Sequence, residues 1–331
     1  MTKRREFILG LGAAVVASGA PQAPALAQVR DKVVMSWLPI MQTMAFYVAQ
    51  EEKLFEKASI EVEAARFQAP NQIIDSLVSN RADVGAPGAA AGISVLAESQ
   101  FPGTFKVFGL QGGGIGVNRI NDGLIVANAS TITSFADLKG KTLGHLPGIQ
   151  WRTISRHMVR KAGLDPDKDV RLVELAVGLQ VQAVIAGSAD ATLSLEPVGS
   201  IAVALGEAKR AMTNPVAAVI ADPFYSGCSL LTTKFIKDRP AVARRVVEVL
   251  DEATRLAETQ YEKYRPILPK YTPVSASQIG IVAQPYLRAW RDLNETDLRS
   301  YQALVDVFSA EGALKTPMKV QDIILKPSDL A

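Results

Sequence analysis

Six short segments of this chain carry side chains suited to holding a small polar molecule. The first is Leu38-Pro39-Ile40-Met41-Gln42-Thr43-Met44, which leads into Phe46-Tyr47. Pro87-Gly88-Ala89, Gln111-Gly112-Gly113-Gly114 and Pro147-Gly148-Ile149-Gln150-Trp151-Arg152 follow, then Glu196-Pro197 and Tyr225-Ser226-Gly227-Cys228. Their chemistry is hydrogen bonding and stacking rather than bond breaking. The amides of Gln42, Gln111 and Gln150 and the hydroxyl of Thr43 both donate and accept. Pro87, Gly88 and Gly112 let main chain approach a ligand closely. Met41, Tyr47, Trp151 and Tyr225 offer apolar or ring surface. Arg152 could hold a carboxylate bidentately, and Glu196 could accept from an N–H or a cation.

Each of these residues also has a plainer reading. Gln42 and Thr43 could cap the following helix. One of Phe46 and Tyr47 belongs to the core. Trp151 shares helical spacing with Ile154 and Met158, so it either stacks on a ligand or packs inside. Arg152 reads as a solvated arginine, Glu196 as a residue orienting a hinge, and Gln111 to Gly114 as a flexible connection. Asp83 and Asp190 read as turn residues, His145 as a packed histidine at a strand end, and His157 as exposed beside Arg156 and Arg160. Cys228 reads as a small buried residue.

The elements around these segments alternate. Lys32 to Trp37 predicts a strand ending at Leu38-Pro39. Ala45 to Phe55 has helical spacing, and Ile60 to Ala64 alternates as a half-solvated strand. Ile73, Ile74, Leu77 and Val78 form a helical stripe ended by Asn80, and a short strand from Asp83 runs into Ala86-Pro87-Gly88. The pattern then repeats. A short helix spans Thr133 to Leu138, a strand spans Thr142 to Leu146, and a helix carries Trp151, Ile154, Met158 and Ala162 up to Gly163. Ser76 to Val84 parallels Ala183 to Ala191, each an apolar helix ended by Asn80 or Gly187 and followed by Ala-Asp and a strand. Two lobes on one plan are expected, each a mostly parallel sheet with flanking helices. The last third predicts a helix capped by Asp238 with Pro240 in its first turn, then helices over Ser275 to Ala289 and Glu295 to Ala310. These pack back on the first lobe. Lobe 1 is therefore expected over 28–124 plus 224–331, and lobe 2 over 125–223.

The chain has 331 residues, 48% hydrophobic and 21% charged, with a net charge of +3. Removing Lys3, Arg4, Arg5 and Glu6 with a leader brings that charge to +1, too balanced for a nucleic-acid surface. One cysteine excludes an internal disulfide, and with two histidines it argues against a His/Cys metal site. No cofactor is expected.

The N-terminus reads as an address. Lys3-Arg4-Arg5 is a charged start, Phe7 to Ala20 an apolar stretch of 14 residues, and Ala25-Leu26-Ala27 a cleavage signal. A spanning helix needs about 20 apolar residues, so a leader cleaved after Ala27 is expected. Paired Arg4-Arg5 followed by Phe7 resembles a twin-arginine signal, with an ordinary secretory leader as the alternative. No lipobox cysteine accompanies it.

The order of motifs carries a family resemblance. Leu38-Pro39, Tyr47-Val48-Ala49-Gln50, Leu54-Phe55 and Ala82-Asp83-Val84-Gly85 are followed by Asp137-Leu138-Lys139-Gly140-Lys141 and Ala162-Gly163-Leu164-Asp165-Pro166. Ala186-Gly187-Ser188-Ala189-Asp190-Ala191 and Glu196-Pro197 complete the series. Over residues 33 to 256 this resembles the nitrate/sulfonate/taurine/thiamine-precursor class of ABC-transporter solute-binding proteins. Each motif is weak alone; order and spacing together are specific. The resemblance implies an α/β two-lobed periplasmic-binding-protein fold of type II kind that closes on a solute by hinge motion. It implies hinges near Gly123 to Ala127 and Ile220 to Tyr225, a monomer in the periplasm, and an ABC permease and its ATPase as partners. Gln42-Thr43-Met44 and Gly148-Ile149-Gln150-Trp151 depart from the small hydroxyl residues common in relatives. That favours an organic, partly apolar or ring-bearing solute over a compact oxyanion. Enzymes on the same fold, a sulfinate desulfinase and a thiamine-precursor synthase, remain the alternative. The first loop lacks the desulfinase-type cysteine, and the synthase-type cysteine-rich segment is absent.

Overall fold

A computed structural model of the chain describes residues 30–331. The expected leader and its expected cleavage site lie outside the described residues. Among the described residues, no helix is long and apolar enough to cross a membrane.

Among the described residues, eleven strands form two sheets. They are β1 Asp31–Trp37, β2 Ile60–Arg66, β3 Val84–Ala90, β4 Phe105–Gly113, β5 Asp122–Val126, β6 Lys141–His145, β7 Val170–Glu174, β8 Ala191–Leu195, β9 Lys209–Thr213, β10 Phe224–Thr232 and β11 Tyr286–Ala289. The first sheet runs β11-β4-β10-β3-β1-β2 and the second β7-β6-β8-β5-β9. Setting aside β11, the two orders are the same plan. In the first, β1 is parallel to β2 and β3, while β10 is antiparallel to β3 and β4. In the second, β6 is parallel to β7 and β8, while β5 is antiparallel to β8 and β9.

The internal sequence match lies at equivalent places in this plan. Helix Pro70–Val78 feeds β3, and helix Gln180–Ile185 feeds β8. Asn80 and Gly187 stand at φ +54° and +72°, the left-handed turn that ends each helix. Arg81 and Ala82 N–H groups donate back to Ser76 O, as Ser188 and Ala189 donate to Ala183 O.

Local chemistry explains the elements. Val33, Met35 and Trp37 of β1 are buried, as alternation requires, while β2 lies at the sheet edge and is mostly exposed. β3 is buried throughout because it lies between β1 and β10. The helix Pro240–Thr259 buries Val242, Val246, Val249 and Ala253 in a core that also holds Phe46, Tyr47 and Met35. A second core packs the helix Glu295–Ala310, through Tyr301, Leu304 and Phe308, together with Cys228, Leu143 and Trp151. Each fully buried side chain of this size contributes roughly 1.5–3 kcal/mol of transfer free energy.

Several expectations change. Residues 123–127, expected as the first hinge, fall mostly within β5, which pairs with β8 and β9 of the second sheet. Asp-Gly-Leu-Ile-Val is a strand rather than the connection that the resemblance implied. The chain instead passes between the sheets at 114–121 and again at 220–223. Asp238 does not cap the long helix: it ends the preceding helix Thr233–Asp238 and pairs with Lys234, and Arg239 occupies the N-cap position. Ser275 to Ala289 is not one helix. Ala276–Ile281 is a 3-10 turn, and after Pro285 the alternating Tyr-Leu-Arg-Ala becomes β11 at the sheet edge. Pro87, Gly88, Gln111, Gly112 and Tyr225, expected in loops, are buried within β3, β4 and β10.

Candidate functional site

The carboxyl ends of β1, β3 and β6 lead into three segments that face one another across the sheets. These are the 3-10 turn Met41–Thr43, the start of helix Ala91–Gln100 and the start of helix Ile149–Lys161. The chain crossing at 114–121 supplies Asn121 to the same junction.

Ser226 lies at its centre. Gln42 Nε2 donates to Ser226 Oγ at 2.7 Å and to Asn121 Oδ1 at 3.0 Å. Gln150 reaches over from the second sheet: its Nε2 donates to Ser226 O at 3.0 Å, and its Oε1 accepts from Gly92 N–H at 2.7 Å. Both glutamines are buried, at 7% and 3% exposure. Gln111 holds the neighbouring main chain, accepting from Gly88 N–H at 2.9 Å and donating to Ser229 Oγ at 3.0 Å. Glycine is required twice at this place. Gly88 sits at φ +96°, where a Cβ would lie 2.9 Å from Thr43 Oγ1. A Cβ on Gly227 would lie 2.6 Å from Gln42 Oε1.

Asn121 is fixed in turn: its N–H donates to Asn214 Oδ1 at 2.8 Å and its Nδ2 to Asp122 Oδ2 at 2.9 Å. Asp122 also accepts from Val216 N–H at 3.1 Å. Full burial pushes its carboxyl up to about 6.

The structure therefore brings Gln42, Thr43, Gly88, Gln111 and Gln150 together, with Pro87 one residue away on β3. The other expected site residues make contacts elsewhere. Met41 is buried in the core beneath the first sheet. Tyr47 is fully buried, donates to the carbonyls of Leu38 and Ile40 at 3.0 Å, and stacks on Tyr271 at 4.5 Å. Burial drives its phenol far above the usual range. Gly112 pairs with Tyr225 and Tyr286 inside the sheet. Tyr225 donates to Asp297 Oδ1 at 2.5 Å, and Arg288 Nε donates to the other carboxylate oxygen at 3.1 Å. Trp151 packs in the core with Ile154 and Met158, which its spacing allowed. Arg152, one residue on, points away and pairs with Glu174 at 2.6 Å. Glu196 is held by Arg210 at 2.6 Å and accepts from Ser200 N–H at 3.2 Å, inside the second sheet's own framework.

Sequence reasoning missed Asn121 and Gly92, and it quoted Ser226 and Gly227 without giving them a role. Nothing local distinguishes Asn121. Ser226 carried a weak signal, a hydroxyl before a glycine in the sixth segment.

The histidines and the cysteine take no part in the junction. His145 is buried, with Nδ1 2.8 Å from Leu146 O, and burial lowers its pKa. It lines an open groove of about 430 Å³ with Arg152, Arg156 and Glu174, beside the edge strand β7 of the second sheet. His157, expected to be exposed, is 9% exposed. It lies 3.3 Å from the buried Glu311 carboxylate, which also accepts from Arg160 Nε at 3.2 Å. Cys228 is fully buried near Ser94, whose hydroxyl contacts Tyr301, and burial pushes its thiol up to about 12.

Two sheets of one plan, joined by two chain crossings around a buried polar junction, define the periplasmic-binding-protein fold. The chain belongs to the NMT1/THI5-like family, whose model matches residues 40–260. Among solved structures it resembles the periplasmic aliphatic sulphonate binding protein SsuA from Escherichia coli, with 18% identity over 90% of this chain and 92% of that one and a TM-score of 0.71. The alkanesulfonate-binding protein SsuA from Xanthomonas axonopodis pv. citri bound to MOPS is similar at 17% identity, covering 89% and 98%, with a TM-score of 0.70. The desulfurization enzyme DSZB matches at 16% identity, covering 91% and 98%, with a TM-score of 0.68. Among curated protein sequences none matches the chain.

Proposed function

We propose that this protein is the extracytoplasmic solute-binding component of an ABC importer. It captures a small organic solute between its two sheet units and presents it to a membrane permease and its ATPase. The observation that carries this reading is the meeting of Gln42 and Gln150, from different sheet units, on one residue, Ser226. These groups converge across the boundary between the units, where hinge closure and solute recognition would coincide. The family membership and the sulfonate-binding structural relatives support the same role. The leader sequence supports delivery to the periplasm, by the twin-arginine or the general secretory route, and the protein acts there as a monomer in this reading.

The groups around Ser226 are neutral amides, a hydroxyl and main chain, and Arg152 is turned away toward Glu174. This favours a polar organic solute, bound by hydrogen bonds, over a compact inorganic anion.

The desulfurization enzyme with the same fold keeps a second reading in view. A second structure of that enzyme, with a cysteine replaced by serine, holds biphenyl-2-sulfinic acid. Here the one cysteine, Cys228, is buried with its thiol pushed up to about 12, so a thiolate nucleophile is disfavoured at neutral pH.

A thermal-shift screen of the leader-free protein over sulfonates, aromatic carboxylates, heterocycles and amides tests the proposal. A solute at 100 times its Kd adds about 2.7 kcal/mol of stability. The bound compound should be recovered unchanged. Its conversion to product would establish the enzyme reading, and a folded protein shifted by no compound would sink solute capture.

A further inference from the structure

Ser226 is the extra residue of a β-bulge. In the pairing of β10 with β4, Tyr225 faces Gly112 and Gly227 faces Gln111, so Ser226 has no partner; pairing with β3 begins only at Gly227. The bulge turns the Ser226 carbonyl toward the second sheet. Gly92 is the second residue of helix Ala91–Gln100, so its N–H has no acceptor within the helix. The first sheet unit thus presents one main-chain acceptor and one main-chain donor side by side. In the closed molecule both are satisfied by one group from the opposite unit, the Gln150 carboxamide, at 3.0 and 2.7 Å. A buried pair of this kind left without partners would be strongly unfavourable, so the closed state needs an occupant there.

We propose that Gln150 is a built-in stand-in for the solute, and that the solute displacing it presents an acceptor and an N–H side by side, as a primary amide, lactam or ureide edge does. This rests on the reading of the junction as the solute site. An alkanesulfonate meets only half of the requirement. One oxygen can accept from Gly92 N–H, but a second oxygen would face the Ser226 carbonyl, acceptor against acceptor. Gln150 then sets both specificity and threshold: a solute binds only if its edge competes with the protein's own amide.

The test uses Gln150→Ala, which vacates the position, with Gln150→Ser as the alternative should the alanine variant not fold. Propionamide, matching the missing side-chain end, and propanesulfonate, of similar size, are titrated against variant and wild type, and melting temperature is followed. Propionamide is expected to stabilise the variant with an apparent affinity at least tenfold above that for wild type, and propanesulfonate to do neither. Equal or greater stabilisation by propanesulfonate overturns the inference, as does a folded variant indifferent to both. The two proposals fail separately. A wild-type protein that captures a solute lacking any amide-like edge refutes the stand-in and leaves solute capture intact. Rescue of the variant by propionamide, with no solute ever captured by wild type, refutes solute capture instead.

Discussion

Asp83 and Asp190 perform the same act in the two sheets. Asp83 Oδ2 accepts from Val34 N–H at 3.0 Å, and Asp190 Oδ2 accepts from Thr142 N–H at 2.8 Å. Their own N–H groups return the bond, to Val34 O and Thr142 O, each at 2.9 Å. Each aspartate therefore pins the start of one strand to the neighbouring strand. Asp83→Ala and Asp190→Ala should each lose about 1 kcal/mol, measured by urea unfolding, with the two losses additive because the sites share no partner. Asparagine at either position, which keeps an acceptor oxygen, should recover most of the loss. A loss confined to one of the two would break the equivalence.

Trp151 and Arg152 are adjacent but differ in consequence. Trp151 is 3% exposed in the core, whereas the Arg152 side chain is 55% exposed. Trp151→Ala should destabilise the protein by about 3–5 kcal/mol. Arg152→Ala should change stability by no more than about 1 kcal/mol and leave the affinity for any solute found in the screen unchanged. An arginine variant that selectively loses anionic solutes would return Arg152 to the site.

Asp122 makes stability depend on pH. Its folded carboxyl is raised to about 6, above the ordinary value of 3.8, so between those values the folded state holds a proton that the unfolded state has released. Stability from this group is therefore fully present below about pH 4 and is lost as pH rises through about 6, by no more than about 3 kcal/mol. Asp122→Asn should flatten that part of the profile in denaturant titrations at fixed ionic strength. A profile identical to wild type between about pH 4 and 7 would remove Asp122 as its source.

Cys228 should resist alkylation. With the thiol buried and pushed up to about 12, iodoacetamide at about pH 8 should leave the native protein unlabelled over hours, whereas unfolded protein in urea labels within minutes. Rapid labelling of native protein would show a thiolate at hand and strengthen the enzyme reading.

The lobe plan was legible in the sequence because its signals are local. Alternation in β1, the helical stripe before Asn80 and the recurrence of Ala-Asp at 82–83 and 189–190 each depend on residues a few positions apart. The first crossing, placed at 123–127 by the family resemblance, lies earlier in the chain, because only the pairing of Asp122–Val126 with β8 and β9 assigns that segment to the second sheet. Side-chain type also left Tyr47 and Trp151 open, since an aromatic ring suits a core and a ligand equally.

By itself the sequence determined two α/β units of one plan, the family to which they belong, and the segments from which a binding site would be drawn. Which side chains meet at the candidate site was decided by tertiary structure alone. Ser226 meets Gln42 from 184 positions away and Gln150 from 76, and Asn121 meets Gln42 across 79. Contacts over such separations depend on how two sheets close on each other and on one bulge in β10 that frees a carbonyl. No periodicity in the chain encodes either.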